Sequence, residues 1–188
     1  NSPTPGVTLY EVRISCAGAK PVTGFLSIPD GAASNSLPAI CTFQGYGVKY
    51  PSPPRWVNPN AIVFDVNAHG MPLGKEDAYY DQVKKDLRGY AFDTGENKNR
   101  ETTYFHDMSL RVLRALKYVK SLPEWNGKDL ESNGGSQGGL QGLWGGGLDP
   151  DVTVCRNWSP WCCDLGGFQL GRMKGWRPEY SKALAYYD

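Results

Sequence analysis

Histidine is scarce in this chain: His69 and His106 are the only two in 188 residues. Five cysteines accompany them, two of them adjacent at Cys162 and Cys163, which leaves no set of four metal ligands at the spacing a zinc site uses. The odd cysteine count (Cys16, Cys41, Cys155, Cys162, Cys163) is also too sparse for a disulfide-stapled scaffold. These thiols are expected to be small buried hydrophobes. An excess of charge of one sign is missing as well: Lys+Arg 20 against Asp+Glu 19 gives a net charge of +1. With no basic stripe or arginine-rich tail, nucleic acid and anionic membrane are poor partners. The densest charge run, KEDAYYDQVKKDL at 75–87, mixes both signs and reads as a solvated face. No apolar run approaches the about 20 residues that cross a bilayer. No signal peptide is recognisable, yet the first residue is Asn1 rather than Met, so the numbering is expected to start inside a longer precursor.

What is present fits an ordinary globular domain, 40% hydrophobic and 21% charged. At this length a single domain buries about 70% of its unfolded surface. TLYEVRIS (8–15) alternates apolar and polar like a half-buried strand, and VTGFLSIPDG (22–31) reads as its hairpin partner. LPAICTFQGYG (37–47) is a short apolar run ending in glycines, which suits a strand buried on both faces. AIVFDVNAHG (61–70) repeats that pattern after a proline-heavy crossing loop at 50–60. Residues 71–100 are polar and weakly periodic, which marks a functional excursion.

A helix is expected over 101–122, with Phe105, Met108, Val112, Leu116 and Val119 on one face and Arg111, Arg114, Lys117 and Lys120 on another. A glycine-rich helix follows at 137–148, then a strand at 152–160 and an aromatic, loop-rich tail. Strands alternating with helices and long loops indicate an α/β domain with a largely parallel sheet, one domain over 1–188.

The string LESNGGSQGGL (130–140) surrounds one serine with four glycines. GGSQG matches G-x-S-x-G, a strand-to-helix turn so sharp that only glycine fits two residues before and two after the serine. Gly134 and Gly138 are those residues, and Ser136 is the candidate nucleophile. It sits where a helix begins, so exposed N–H groups and the helix dipole favour negative charge there. The N–H of Gln137 is the expected first donor to an oxyanion. FQGYG (43–47), at the end of an earlier strand, offers the N–H of Tyr46 as the second. Against this reading, Glu131, Ser132 and Asn133 are polar where a strand entering such a turn should be apolar, and Arg156 and Asn157 blemish the next strand.

NGGSQGGLQG, FQGYG, the helix YFHDMSLRVLRALKYVKSLPEW and the tail WCCDLGGFQLGR…WRPEYSKALAYYD together resemble the acetyl xylan esterase / cephalosporin-C deacetylase family, from about Thr8 to Asp188. The resemblance implies an α/β-hydrolase fold and removal of acetyl groups from sugar hydroxyls by a serine-histidine-aspartate triad. It carries the nucleophile to Ser136 and the oxyanion-hole N–H groups to Tyr46 and Gln137. It calls for no metal and no organic cofactor. Acetylated xylan or an acetylated sugar is the implied substrate, and a homo-oligomer is compatible with it. Where many members carry an Arg-Gly-Gln string, this chain reads NAHG at 67–70, a departure that marks a subgroup.

A serine hydroxyl needs an imidazole, itself oriented by a carboxylate. In this fold the acid and the histidine follow the serine, and no histidine follows Ser136. His69 ends a central strand on the edge that carries active sites, so it is a candidate substrate contact rather than the base. His106 reads as a helix-surface or interface group; nothing places Asp149 or Asp164 as the orienting acid, and Asp164 reads as structural. The expectation is therefore a hydrolase lacking the C-terminal part that bears its triad Asp and His, with little ester turnover from these residues alone. Trp56, Tyr79, Tyr80, Trp158 and Trp161 are candidates to stack on sugar rings.

Two rivals stand beside this reading. One is another serine hydrolase, a feruloyl esterase or a prolyl-oligopeptidase-like peptidase; the other is a non-catalytic, carbohydrate-binding relative. A polysaccharide deacetylase is most useful outside the cytoplasm, so a secreted or periplasmic location is expected, with the cytoplasm as the alternative.

Overall fold

The computed structural model describes residues 2–18, 20–48, 52–87, 95–161, 163–175 and 177–188. Strands β1 (Val7–Ile14) and β2 (Val22–Pro29) form the antiparallel hairpin that their alternation predicts. Strands β3 (Leu37–Phe43) and β4 (Ile62–Val66) follow, then helices α1 (Asp77–Asp86) and α2 (Tyr104–Lys120). Strand β5 (Trp125–Gly135) runs directly into helix α3 (Gln137–Leu148), and β6 (Val154–Trp158) closes the series. The six strands make one sheet in the order β1-β2-β4-β3-β5-β6, antiparallel at β1-β2 and β2-β4 and parallel from β4 to β6. The order is non-consecutive at β2-β4 and at β3-β5, so the parallel strands are joined by crossovers, the arrangement that places loops and helix N-termini at the carboxyl edge of the sheet.

Helices α2 and α3 pack on each other and on the same side of the sheet. Phe105, Met108, Val112, Leu116 and Val119 of α2 are all buried there, as their spacing predicts, against Ala39, Cys41, Phe43, Ile62, Phe64 and Val66. The expectation that β3 is buried on both faces is corrected. Its burial alternates, with Ala39, Cys41 and Phe43 buried and Ile40 and Thr42 only partly so, because both long helices lie on one side.

Other expectations also change. Residues 71–100 contain a helix, α1, that the weak periodicity hid. It buries only Tyr80 and carries Asp77 in its first turn and Lys84 and Lys85 in its last, favourable ends for a helix dipole. An ion pair from Lys84 to Asp81 (3.0 Å) and a hydrogen bond from Gln82 to Asp86 (2.9 Å) brace its exposed side. Residues 88–94 of the same stretch lie outside the described residues. Helix α2 starts at Tyr104 rather than 101 because the Thr103 hydroxyl caps it, accepting from the His106 N–H at 3.2 Å. Arg111, expected on its polar face, is 3% exposed.

Of the described cysteines only Cys41 is buried; Cys155 is exposed on the edge strand β6, and Cys16 and Cys163 lie between. Cys162 is outside the described residues. The polar residues of β5 find specific partners. Ser132 is fully buried, and its hydroxyl donates to the Gly142 carbonyl of α3 at 3.0 Å. Glu131 and Asn133 point to the other side, where Asn133 donates to Glu131 (2.8 Å) and Arg156 of β6 pairs with it (3.4 Å). Asp149 pairs with Lys120 (2.8 Å) and Asp164 with Arg172 (2.7 Å), structural partnerships for both acids. Among the described residues no helix is long and apolar enough to cross a membrane.

Asp65 of β4 supports a stability prediction. Burial pushes its carboxyl up to about 6. A carboxylate whose folded pKa is raised binds its proton more tightly in the native state, so native stability falls as pH rises from the ordinary carboxylate value toward 6. Asp65→Asn is expected to gain about 1–3 kcal/mol over the parent at pH 7, a gain that shrinks toward zero at pH 3.5. Urea unfolding at the two pH values checks it; an equal difference at both would contradict it.

Candidate active site

The turn between β5 and α3 has the geometry its glycines require. Ser136 adopts φ 55 and ψ −124, a backbone region that L-residues rarely occupy, and immediately precedes the first residue of α3. A Cβ at Gly134 would lie 2.8 Å from the Phe43 carbonyl oxygen, and one at Gly138 would lie 2.9 Å from the Phe43 carbonyl carbon. Both are backbone atoms of β3, which cannot swing aside as a side chain would. The turn is also stitched from the far side. The Ser136 N–H donates to the Trp158 carbonyl at 3.2 Å, and the Ser136 carbonyl accepts from the N–H groups of Leu140 (3.2 Å) and Trp161 (2.9 Å). The result is a strained serine held by three backbone hydrogen bonds, with its side chain exposed at the carboxyl edge of the sheet.

Gln137 is fully buried, its side-chain amide donating to the Met108 sulfur at 2.9 Å, so the residue after the serine is fixed from within the core. Its N–H belongs to the first turn of α3, whose N–H groups look out along the helix axis toward the elbow. The loop after β3 lies alongside: a Cβ at Gly45 would be 3.2 Å from the Gly135 carbonyl and 3.8 Å from Ser136 Cβ. Tyr46 is the next residue, 39% exposed. Gln44 ties this loop down, its N–H donating to the Val66 carbonyl (3.1 Å), while its own carbonyl accepts from the Gln141 side chain (3.2 Å). Ser136, Gln137 and the Tyr46 loop are thus neighbours, although they come from two stretches of sequence far apart in the chain.

The two imidazoles sit apart from this hydroxyl in their bonding. His69 is 3% exposed, its Nδ1 hydrogen-bonded to the Tyr104 hydroxyl. Burial, with Lys20 and Arg111 nearby, lowers it to about 3. His106 is bonded through Nδ1 to the Tyr187 hydroxyl at 3.1 Å. A general base works best with a pKa near the working pH, which His69 lacks. Among the described residues none is hydrogen-bonded to the Ser136 hydroxyl.

The aromatic candidates divide. Trp158 is 59% exposed and lays its indole against Gly135, one residue from Ser136. Trp56 and Tyr79 are exposed, whereas Tyr80 is buried and donates its hydroxyl to the Pro72 carbonyl at 2.8 Å, a packing role. Trp161 is partly buried, with its ring edge-on to Phe105. Its backbone bond to Ser136 had no signal in the sequence, since it depends on how the chain turns after β6. No group of three or more His, Cys, Asp or Glu among the described residues is placed to hold a metal ion.

The family model for acetyl xylan esterase (AXE1) matches residues 1–173. The chain belongs to the acetyl xylan esterase family. A relative, acetyl esterase Axe7A of Xylanibacter ruminicola, is 28% identical over 203 aligned residues, which cover 98% of this chain and 45% of that protein. Among solved structures, the acetyl xylan esterase from Paenibacillus sp. R4 superposes with a TM-score of 0.68 at 22% identity, covering 93% of this chain and 56% of that one. Acetyl xylan esterase 1 from Thermoanaerobacterium sp. JW/SL YS485 gives a TM-score of 0.59 at 18% identity, over 98% and 57%. The fold is that of the α/β-hydrolases. The chain spans about half the length of the relatives it matches.

Proposed function

We propose that the polypeptide carrying this chain is a carboxylic-ester hydrolase that removes acetyl groups from xylan or other acetylated sugars, with Ser136 as its nucleophile. The observation that carries the reading is the strained, exposed Ser136 between β5 and α3, wedged against β3 by two glycines. Membership of the acetyl xylan esterase family supports the ester class.

In this reading the Ser136 Oγ attacks the acetyl carbonyl and gives its proton to a base. His69 and His106, each committed to a tyrosine hydroxyl, are not assigned that part. Charge develops on the former carbonyl oxygen, where the N–H groups of Gln137 and Tyr46 stabilise it. Losing one such donor costs about 2.7–4 kcal/mol of barrier. The C–O bond to the sugar breaks, the sugar hydroxyl leaves with a proton, and water then releases acetate from the acyl-serine. Trp158, exposed beside the elbow, is the proposed platform for a sugar ring.

A substrate panel tests the class. Acetylated xylan and 4-nitrophenyl acetate are expected to give a higher kcat/KM than feruloyl sugar esters or peptide anilides. A preference for feruloyl esters or for anilides would replace the acetyl reading with one of its two hydrolase rivals.

A further inference from the structure

His69 has no part in the proposed chemistry of Ser136, yet its backbone is strained. It is a buried non-glycine residue at φ 60 and ψ 11, in the left-handed region, within a short 3-10 turn at Ala68–Gly70. Such a conformation is strained and persists only when its surroundings enforce it. They do so here. The next residue, Gly70, has φ 62, and a Cβ there would lie 2.6 Å from the Pro21 carbonyl oxygen, so the turn is pressed against the chain entering β2.

The strained turn aims the imidazole at two tyrosines. Its Nδ1 meets the Tyr104 hydroxyl at the start of α2, with ring centroids 5.8 Å apart. Its other neighbour is Tyr46, ring centroid 5.6 Å away and edge-on at 84°. The two loops are also joined by a side chain, the Ala68 N–H donating to Gln44 Oε1 at 3.4 Å. We infer that His69 is a positioning residue: anchored by Tyr104, it braces Tyr46 and so fixes the loop whose N–H is to meet the substrate oxygen. The inference rests on the proposed roles of Ser136 and Tyr46.

The electrostatics suit a brace and oppose a base. Lys20 lies over one side of the Tyr104 ring, 5.6 Å from its centroid, and the Arg111 guanidinium is 6.0 Å from the same centroid. Burial disfavours a positive imidazole, and both cations add to it. Burial also pushes Tyr104 up to about 12, so its hydroxyl stays protonated beside Nδ1, and the imidazole stays neutral across the working pH range. The charged and titratable groups facing this cluster are Lys20 before β2, Arg111 and Asp107 on α2, and Tyr46 after β3. A residue only 3% exposed offers a substrate almost nothing to touch, which is why bracing replaces direct contact as its role.

The test compares His69→Ala, His69→Gln, Tyr104→Phe and Ser136→Ala in the polypeptide that carries these residues, with 4-nitrophenyl acetate as substrate. Displacing the Tyr46 loop should lower kcat about ten- to a hundredfold in His69→Ala with KM within about twofold, since a small misplacement of a catalytic group acts on the transition state. His69→Gln, which retains an acceptor for the Tyr104 hydroxyl, should recover most of that loss. Tyr104→Phe keeps the ring and removes only the hydroxyl. It should lower kcat in the same direction while the fold is retained, and it carries the test should His69→Ala fail to fold. The limbs of the pH–rate profile should stay in place in every active variant. An unchanged kcat in both His69→Ala and Tyr104→Phe, a displaced limb in His69→Gln, or no recovery in His69→Gln would each overturn the inference. If Ser136→Ala remains active, the nucleophile assignment itself fails. If Ser136→Ala is inactive while the His69 and Tyr104 variants behave as the parent, only the positioning role is lost.

Discussion

Ser136→Ala is expected to lower kcat/KM for 4-nitrophenyl acetate by about 10⁴-fold or more, leaving only what binding and the oxyanion hole supply without a nucleophile. The expected loss is large because the change removes the attacking atom itself. The fold should be indifferent to the change. Ser136 is exposed, and the bonds that hold the turn run through its backbone N–H and carbonyl to Trp158, Leu140 and Trp161. The melting temperature should therefore stay within a degree or two of the parent, or rise, since alanine removes a polar side chain from a strained position. A rate loss accompanied by unfolding would show that the serine is structural.

The second large effect is expected at Gly138. An alanine there places its Cβ 2.9 Å from the Phe43 carbonyl carbon and 3.1 Å from that of Gln44. Those atoms belong to the end of β3 and the start of the Tyr46 loop, so relief requires the first turn of α3 to move away from the sheet. Overpacking of this kind costs about 1–3 kcal/mol, occasionally more. The same movement shifts the N–H of Gln137 relative to that of Tyr46, so kcat should fall about a hundredfold even in the fraction that folds. Gly147→Ala is the matched control. It lies in the same helix with nothing within 4 Å of an added Cβ, so it should gain about 0.5–1 kcal/mol of stability and keep its rate. Equal behaviour of the two variants would remove the steric argument for the elbow.

How much of this was legible in the sequence depended on where the physics is local. The G-x-S-x-G turn could be read because its constraint is a clash between a Cβ and a neighbouring strand, and only glycine at fixed offsets relieves it. Helix α3 was found with its observed ends, since the elbow sets its start. The apolar face of α2 followed from spacing, but Arg111 did not. Helical spacing alone assigns a cation to the solvent face, whereas this guanidinium is buried beside the ring of Tyr104. Helix α1 escaped notice because it is held by end charges and exposed pairs and buries a single side chain, which leaves no apolar stripe to detect.

The polar residues of β5 looked like a defect because the sequence does not reveal that Ser132 faces a helix carbonyl or that Glu131 faces Arg156. His69 was the hardest to read. NAHG shows a departure from the family string, but the left-handed turn that aims the ring depends on Pro21, Tyr46 and Tyr104, all distant in sequence.

The most direct test of the central claim, that Ser136 is an activated nucleophile on a strained elbow, is covalent labelling of the polypeptide with a fluorophosphonate probe. The modified peptide is then identified by mass spectrometry. The adduct is predicted on Ser136 and should be absent from Ser136→Ala. Labelling confined to another serine, or undiminished in Ser136→Ala, would contradict the account.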